Sequence, residues 1–105
     1  MDIKEKQYFS SLYAIYKPVL SPKMISYLDD FLLNDLGVSE ISENANVSRQ
    51  AISTQIKRGI NELEDYETKL KIFSSFNQRM EIEYKIKETK DLNLINELIK
   101  IEEND

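Results

Sequence analysis

The chain has 105 residues, of which 41% are apolar and 31% charged, and its formal net charge is −5. This length suits one domain with a modest core. Because the sequence contains no histidine and no cysteine, it excludes disulfides, thiol nucleophiles, imidazole bases and ordinary zinc sites. We therefore expect no enzyme, with no catalytic residue, metal, cofactor or small-molecule substrate. The acidic balance also argues against a generic nucleic-acid coat.

Neither a targeting segment nor a membrane span is predicted. The first residues are amphipathic without an apolar run of the signal-peptide type, and no stretch approaches the roughly 18 apolar residues of a membrane helix. We expect a cytoplasmic protein without membrane insertion. Since no strand-period alternation and no repeat is found, the sequence predicts an all-α fold in a single helical domain, 1–105.

Two helices are predicted in the first third of the chain. Asp2 is suited to cap the first, and Pro18 should end it, because proline disfavours helical geometry at the residue before it. Ser21 and Pro22 are typical of an N-cap and a first helical position, and they open a second helix to about Asn34. The apolar residues at helical spacing, which should be buried, are Tyr8, Phe9, Leu12, Ile15, Tyr16, Ile25, Leu28, Phe31 and Leu32.

A helix-turn-helix pattern follows at about residues 37–60, after a break at Asp35–Gly37. Its short first helix, about Val38–Ala45, ends before Asn46, a residue type that readily adopts the left-handed geometry of a tight turn. Ser48 then caps a second helix with a polar outer face. The side chains expected to be buried in this motif are Val38, Ile41, Ala45, Val47, Ile52, Ile56 and Ile60.

The helical pattern continues through a C-terminal extension, about residues 61–105. Gly59, which costs a helix about 1 kcal/mol relative to alanine, should mark a close contact or a bend. Asp91 is suited to cap a last short helix. The apolar residues of the extension form a seam and a terminal stripe: Leu63, Tyr66, Leu70 and Phe73, then Leu92, Ile95, Leu98 and Ile99 on an inward face.

The second helix of the motif is the only clearly basic stretch. Residues 48–60 carry three cations and no acid, whereas the segments on both sides are acidic. Arginine suits guanine, glutamine suits adenine, and hydroxyls and lysine suit phosphates. The candidate nucleic-acid-binding residues are Ser48, Arg49, Gln50, Ser53, Thr54, Lys57 and Arg58. Three cations predict a salt slope of only about −2.7, so binding should be weak and need a dimer or another partner.

Other side chains are weaker candidates for a site. The acidic residues near 29–35 and 62–67 could pair for acid/base work or bind a hard cation, but the second group spreads around a helix, which favours a solvated face. The aromatic residues of the first helix are more typical of core or dimer surface than of base stacking: Tyr8, Phe9, Tyr13 and Tyr16. Together with the seam, they offer more apolar surface than one small core needs, which favours a homodimer.

Several segments occur in the order found in one family. They are 20–23 (LSPK), 27–30 (YLDD), 35–41 (DLGVSEI), 47–58 (VSRQAISTQIKR) and 63–70 (LEDYETKL). In these segments the chain resembles the YlxM family of small bacterial helix-turn-helix proteins, which are themselves similar to region 4 of sigma factors. The resemblance implies a sigma-region-4-like fold, with the seven candidate residues on the helix that enters a major groove. One departure is Gln55, which stands where many such helices bury a residue.

The resemblance also implies a regulatory role in the signal recognition particle pathway, on DNA or on the RNA and protein components of the particle. Two alternatives remain open. One is a dimeric DNA-binding transcriptional regulator that reads a two-fold symmetric site. The other is an interaction scaffold with a degenerate helix-turn-helix, in which the polar face is merely solvated.

Overall fold

The computed structural model describes residues 1–89 and 93–104. In these ranges it contains no β-strand, so the all-α prediction is confirmed. The helices are α1 (Ile3–Tyr16), α2 (Pro22–Leu28), α3 (Val38–Ala45), α4 (Arg49–Leu70), α5 (Ile72–Thr89) and α6 (Asn93–Asn104). The chain forms two compact units, Met1–Tyr66 and Glu67–Asp105. No helix within the described ranges is long and apolar enough to cross a membrane.

The predicted starts of the first two helices and the predicted end of the first are confirmed. The Asp2 carboxylate accepts a hydrogen bond from the Glu5 N–H at 2.8 Å and so caps α1. A turn of 3₁₀ helix containing Pro18 follows α1 directly. Ser21 caps α2 by accepting a hydrogen bond from the Met24 N–H at 3.2 Å. Local sequence therefore determines where these two helices begin and where α1 ends.

The core of the first unit contains side chains of α1, α2, α3 and α4. Its largest fully buried side chains are Leu12, Tyr13, Leu28, Ile41, Ile52 and Leu63. Tyr16 stacks on Tyr66 with 5.7 Å between ring centroids. Gly59 is buried, and a Cβ at this position would lie 2.6 Å from Met24 Sδ. Gly59 thus marks a close contact between α4 and α2.

Several predictions of burial were wrong. Tyr8 is exposed, because α1 buries the face that carries Phe9, Leu12, Tyr13 and Tyr16 instead. Ala45 and Val47 are exposed as well, so the turn of the helix-turn-helix is not filled by Val47. Half-buried rather than buried are Ile15, Ile25, Phe31, Val38 and Ile60. Apolar residues lie on more than one side of these helices, and spacing alone does not identify the inner one.

The second helix does not continue regularly to Asn34 as predicted. Regular α-helix ends at Leu28, and Asp29–Leu33 forms a wider π-helical turn, in which the Asn34 N–H donates to the Asp29 carbonyl at 2.9 Å. The backbone then reverses at Asp35, whose φ is 57°. This turn precedes α3 and so determines where the helix-turn-helix begins.

A polar cluster ties the π-helical turn to α1. The buried Tyr13 hydroxyl donates to Asp29 Oδ1 at 2.6 Å, and Lys17 Nζ lies 3.1 Å from the same oxygen. The Tyr13 hydrogen bond, and then the Lys17 ammonium, hold the pKa of Asp29 below its usual value. Burial raises the pKa of Tyr13, and the Asp29 carboxylate adds to this effect. The cluster therefore joins α1 to the π-helical turn.

The second unit contains a break that the predicted helical pattern between residue 61 and the last short helix did not include. The chain breaks at Lys71, whose φ is 54°, between α4 and α5. The buried Glu67 carboxylate accepts hydrogen bonds from the N–H groups of Phe73 and Ser74, at 3.1 and 3.0 Å, and so caps α5. Leu70, predicted as part of the seam, is exposed. Capping by a residue four positions before the break produces this turn without glycine or proline.

Helix α5 packs against α6 in the same unit. Ile95 and Ile99 were predicted to face inward, but both are exposed, and Leu98 is half-buried. The predicted cap Asp91 and its neighbour Leu92 lie outside the described residues.

Candidate nucleic-acid interface

The turn of the helix-turn-helix motif and the cap of its second helix have the backbone geometry that the sequence predicts. Asn46 is left-handed, with φ 56° and ψ 43°, and it ends α3. The Val47 N–H donates to the Ser42 carbonyl at 3.1 Å, which closes the turn. Ser48 Oγ accepts a hydrogen bond from the Ala51 N–H at 3.1 Å and caps α4. The start of α4 is therefore held in a defined direction relative to α3.

The inner side of α4 determines which of its residues face outward. Ile52, Ile56, Gly59 and Leu63 are buried at the spacing of three and four residues that defines one helix face. At 100° per residue, the opposite side carries Gln50, Thr54, Lys57, Arg58 and Asn61. All five are exposed. Burial of one face thus places four of the predicted contact residues on the other.

The remaining predicted residues occupy different positions. Arg49 is exposed at the first turn of α4. Ser48 is exposed, but its hydroxyl serves as the helix cap. Ser53 is half-buried at the side of α4. The structure therefore brings Arg49, Gln50, Thr54, Lys57 and Arg58 to the surface of one helix and gives Ser48 and Ser53 supporting positions.

Two depressions of similar size border this surface. One, of about 360 Å³, is lined by Ser48, Gln50, Ala51, Thr54 and Gln55. The other, of about 370 Å³, is mainly apolar, and Ser53, Lys57 and Asn61 contribute its polar edge. Gln50 and Thr54 consequently lie beside one depression and Lys57 beside the other.

Gln55 is a candidate contact residue that the prediction did not include. It is half-buried and lines the same depression as Gln50 and Thr54. The signal in the sequence was a polar residue at a position where many such helices bury an apolar one. Because its amide can donate and accept, Gln55 can extend the polar side of the surface toward a base edge.

The charges of α4 divide it into a basic and an acidic part. Arg49, Lys57 and Arg58 form no ion pair with any described residue. The first carboxylate along α4 is Glu62, and Glu64 and Asp65 follow. The cations of the first three turns are therefore available for phosphates, whereas the later turns repel them.

The carboxylates considered as alternative sites have structural partners. Asp29 binds Tyr13 and Lys17, Asp35 pairs with Lys6, and Glu67 caps α5. Within the described residues, no group of three or more acidic side chains is arranged to hold a metal ion. Of the aromatic residues of α1, Phe9, Tyr13 and Tyr16 are buried and so belong to the core.

Comparison with known proteins identifies the family. A family model described as "Putative helix-turn-helix protein, YlxM / p13 like", UPF0122, matches residues 3–102. A UPF0122 protein of Malacoplasma penetrans is 45% identical over 93 residues, which are 89% of this chain and 84% of that protein. One of Fusobacterium nucleatum is 53% identical over 64 residues, 61% of this chain and 62% of that protein. One of Limosilactobacillus reuteri is 40% identical over 79 residues, 75% and 70%.

The match runs through α3, the turn at Asn46 and all of α4, so it includes the candidate surface. The family is described as one of helix-turn-helix proteins. Since the family model covers nearly the whole sequence, this chain belongs to the UPF0122 family of YlxM- and p13-like helix-turn-helix proteins.

Proposed function

We propose that this protein is a non-enzymatic, cytoplasmic regulator of the signal recognition particle pathway that contacts the RNA of the particle through the outer face of α4. One observation carries the contact: Lys57 and Arg58 on this face, and Arg49 at the first turn of α4, are exposed without ion-pair partners among the described residues, and no carboxylate precedes Glu62 on this helix. The assignment to the pathway rests on the likeness to YlxM.

The magnitude of the electrostatic attraction favours a composite ligand. Three phosphate contacts by themselves give only weak binding, with a slope of about −2.7 for log K against log salt. The whole chain has a net charge of −5, so its acidic segments repel the phosphates of a long duplex. A ribonucleoprotein can add protein contacts to a short phosphate contact, which is why we favour it over free duplex.

A binding experiment with purified components tests this proposal. The particle's RNA and the GTPases of the pathway are immobilised separately and together, and the full chain is applied at moderate salt. The test variant reverses Arg49, Lys57 and Arg58 to glutamate. A matched control reverses Lys4, Lys23 and Lys100, which are also exposed, and so changes the net charge equally.

We expect the chain and the matched control to bind the RNA-containing bait, and the α4 variant to lose at least about tenfold in affinity. Equal binding of both variants would exclude contact through α4. Binding to the GTPases alone, unaffected by the α4 charges, would identify the chain as an interaction scaffold instead.

A second candidate, a DNA-binding transcriptional regulator, is favoured by the depression at Gln50, Thr54 and Gln55. Glutamine suits the N6 and N7 edge of adenine in a major groove. Selection from random DNA duplexes should then recover a defined sequence, and Gln50→Ala should relax the preference at one position. Recovery of no preferred sequence excludes this candidate.

A further inference from the structure

A depression with a mainly apolar wall lies beside the basic part of α4. Phe31 of the π-helical turn, Val38 at the start of α3, and Ile56 and Ile60 of α4 form this wall, and the volume is about 370 Å³. Phe31, Val38 and Ile60 are only half-buried, although they were predicted to be buried. Their uncovered surfaces therefore meet in one concavity, here called the Lys57 depression.

The rim of the Lys57 depression contains three hydrogen-bond donors and one positive charge. Ser53, Lys57 and Asn61 follow one another at four-residue steps of α4, which places successive Cβ atoms about 5–6 Å apart on one side of the helix. Lys57 forms no ion pair with any described residue, and none of the lining residues is a carboxylate. A single anionic group at this rim can accept hydrogen bonds from the ammonium and from a neighbouring hydroxyl or amide.

This combination distinguishes the Lys57 depression from two other depressions of the described chain. The one beside Gln50 and Thr54 contains no cation. Another, of about 530 Å³ along α1, contains Lys6, but this lysine pairs with Asp35 of the same depression. Of the three, the Lys57 depression alone joins an apolar wall to a cation that has no ion-pair partner among the described residues.

We propose that the Lys57 depression binds a small organic monocarboxylate with an apolar body of about ten carbon atoms. The apolar body packs against Phe31, Val38 and Ile60, and the carboxylate binds Lys57 Nζ. A cavity of about 150 Å³ accommodates benzene, so a volume of about 370 Å³ has room for a body of this size. The inference goes beyond the proposed function, and the binding itself does not depend on it.

Charge and polarity favour this ligand over other small molecules of similar size. One ammonium matches the single charge of a carboxylate, whereas a phosphate monoester carries a charge of about −1.5 to −2 near neutral pH. A cationic amphiphile would be repelled by Lys57, and a neutral one would leave the ammonium without an anionic partner. A nucleobase carries polar edge groups that the apolar wall would leave without hydrogen bonds.

The bound carboxylate would reduce the charge that is available to nucleic acid. Lys57 belongs both to the rim and to the outer face of α4, so the ligand neutralises one of the three cations in the first turns of this helix. The slope of log K against log salt should then change from about −2.7 to about −1.8. The ligand is thus an effector of nucleic-acid binding and not a substrate. This consequence, unlike the binding, rests on the proposed function.

Calorimetric titration of the full chain tests the inference. The probe is decanoate, used at concentrations at which it remains monomeric. We expect saturable one-to-one binding, at least about tenfold tighter than that of butyrate, whose apolar body is too short to cover the wall. Decyltrimethylammonium, which has a tail of the same length and the opposite charge, should also bind at least about tenfold more weakly than decanoate. Decanoate that does not saturate the chain, or that either comparison compound equals in affinity, would overturn the inference.

Two lysine substitutions test the position of the carboxylate. Lys57→Gln should weaken decanoate binding about fivefold, because it removes the charge at the rim. Lys23→Gln removes the same charge at an exposed position outside the depression and should leave the affinity unchanged. Circular dichroism verifies that both variants fold. Equal affinities of the two variants would overturn the inference.

Amide chemical shifts test the position of the apolar body. Decanoate should shift the signals of Val38, Ser53 and Ile60. Shifts confined to α5 or α6 would place decanoate on the exposed apolar residues of those helices and overturn the inference. Decanoate that binds at the Lys57 depression without changing the salt slope of RNA binding would confirm the site and exclude Lys57 from the RNA contact.

Discussion

Asp29 shows how one side chain can connect two structural elements. It accepts the Tyr13 hydroxyl from α1 while it begins the π-helical turn that leads to α3. The Tyr13 and Lys17 contacts favour the ionised carboxylate, so they stabilise the folded chain only while Asp29 is charged. The free energy of unfolding should therefore depend on pH through this residue.

We expect Asp29→Asn to destabilise the chain at neutral pH and to have less effect in acid. Because the pKa of Asp29 is lowered by folding, its contribution is complete above the unfolded value of about 3.9 and is lost as the pH falls through the folded value. Denaturation of both proteins at several pH values measures the difference. Asp65→Asn, at an exposed position, is the control. A difference that does not shrink below pH ~4 would contradict the prediction.

Gly59→Ala should destabilise the chain, although alanine is the better helix former. A Cβ here would lie 2.6 Å from Met24 Sδ and 3.1 and 3.2 Å from the Leu28 methyl groups. Overpacking costs about 1–3 kcal/mol, against a propensity gain of about 1 kcal/mol, so we expect a net loss of about 1 kcal/mol in urea denaturation. Asn61→Ala, exposed on the same helix, should be neutral or slightly stabilising. An equal gain in stability from Gly59→Ala and Asn61→Ala would rule out the close contact at Gly59.

At the scale of elements, the break between α4 and α5 places a lysine in an unfavourable conformation. Lys71 has φ 54°, where a Cβ costs about 1 kcal/mol and glycine has no such cost. Lys71→Gly should therefore raise the unfolding free energy by about 0.5–1 kcal/mol. Lys71→Ala removes the same charge but keeps a Cβ, so it should give no gain. Urea denaturation and hydrogen exchange of the α5 amides measure the stability of both variants. A gain in stability with alanine but not with glycine would contradict the assignment of strain to the Lys71 backbone.

The helix ends differ in how well the sequence predicts them. Asp2, Ser21 and Ser48 each cap a helix that begins within the next residue, so a local pattern sufficed. The break at Lys71 depends on Glu67, which reaches forward to the N–H groups of Phe73 and Ser74. In the sequence alone, a glutamate among helix-forming residues predicts that the helix continues. Only the folded chain shows that the carboxylate of this glutamate caps α5.

At the scale of the whole molecule, a net charge of −5 and a basic helix start should make nucleic-acid binding weak and sensitive to salt. If Arg49, Lys57 and Arg58 each neutralise one phosphate, log K should fall with log salt at a slope of about −2.7. Replacing Arg58 by glutamine should reduce the slope by about 0.9. Lys4→Gln should leave it unchanged. A slope near zero, or equal effects of both substitutions, would exclude phosphate contact by α4.

By itself the sequence determined the helical class, the helix-turn-helix and its basic helix, because caps, turn residues and charge act over a few positions. Tertiary structure decided which faces are buried. Burial of Ile52, Ile56 and Leu63 turned Gln50, Thr54, Lys57 and Arg58 outward and moved Ser53 to the side of α4. It also stacked the half-buried Tyr66 on Tyr16. Packing between distant segments selects one face of a helix, and no local pattern contains that information.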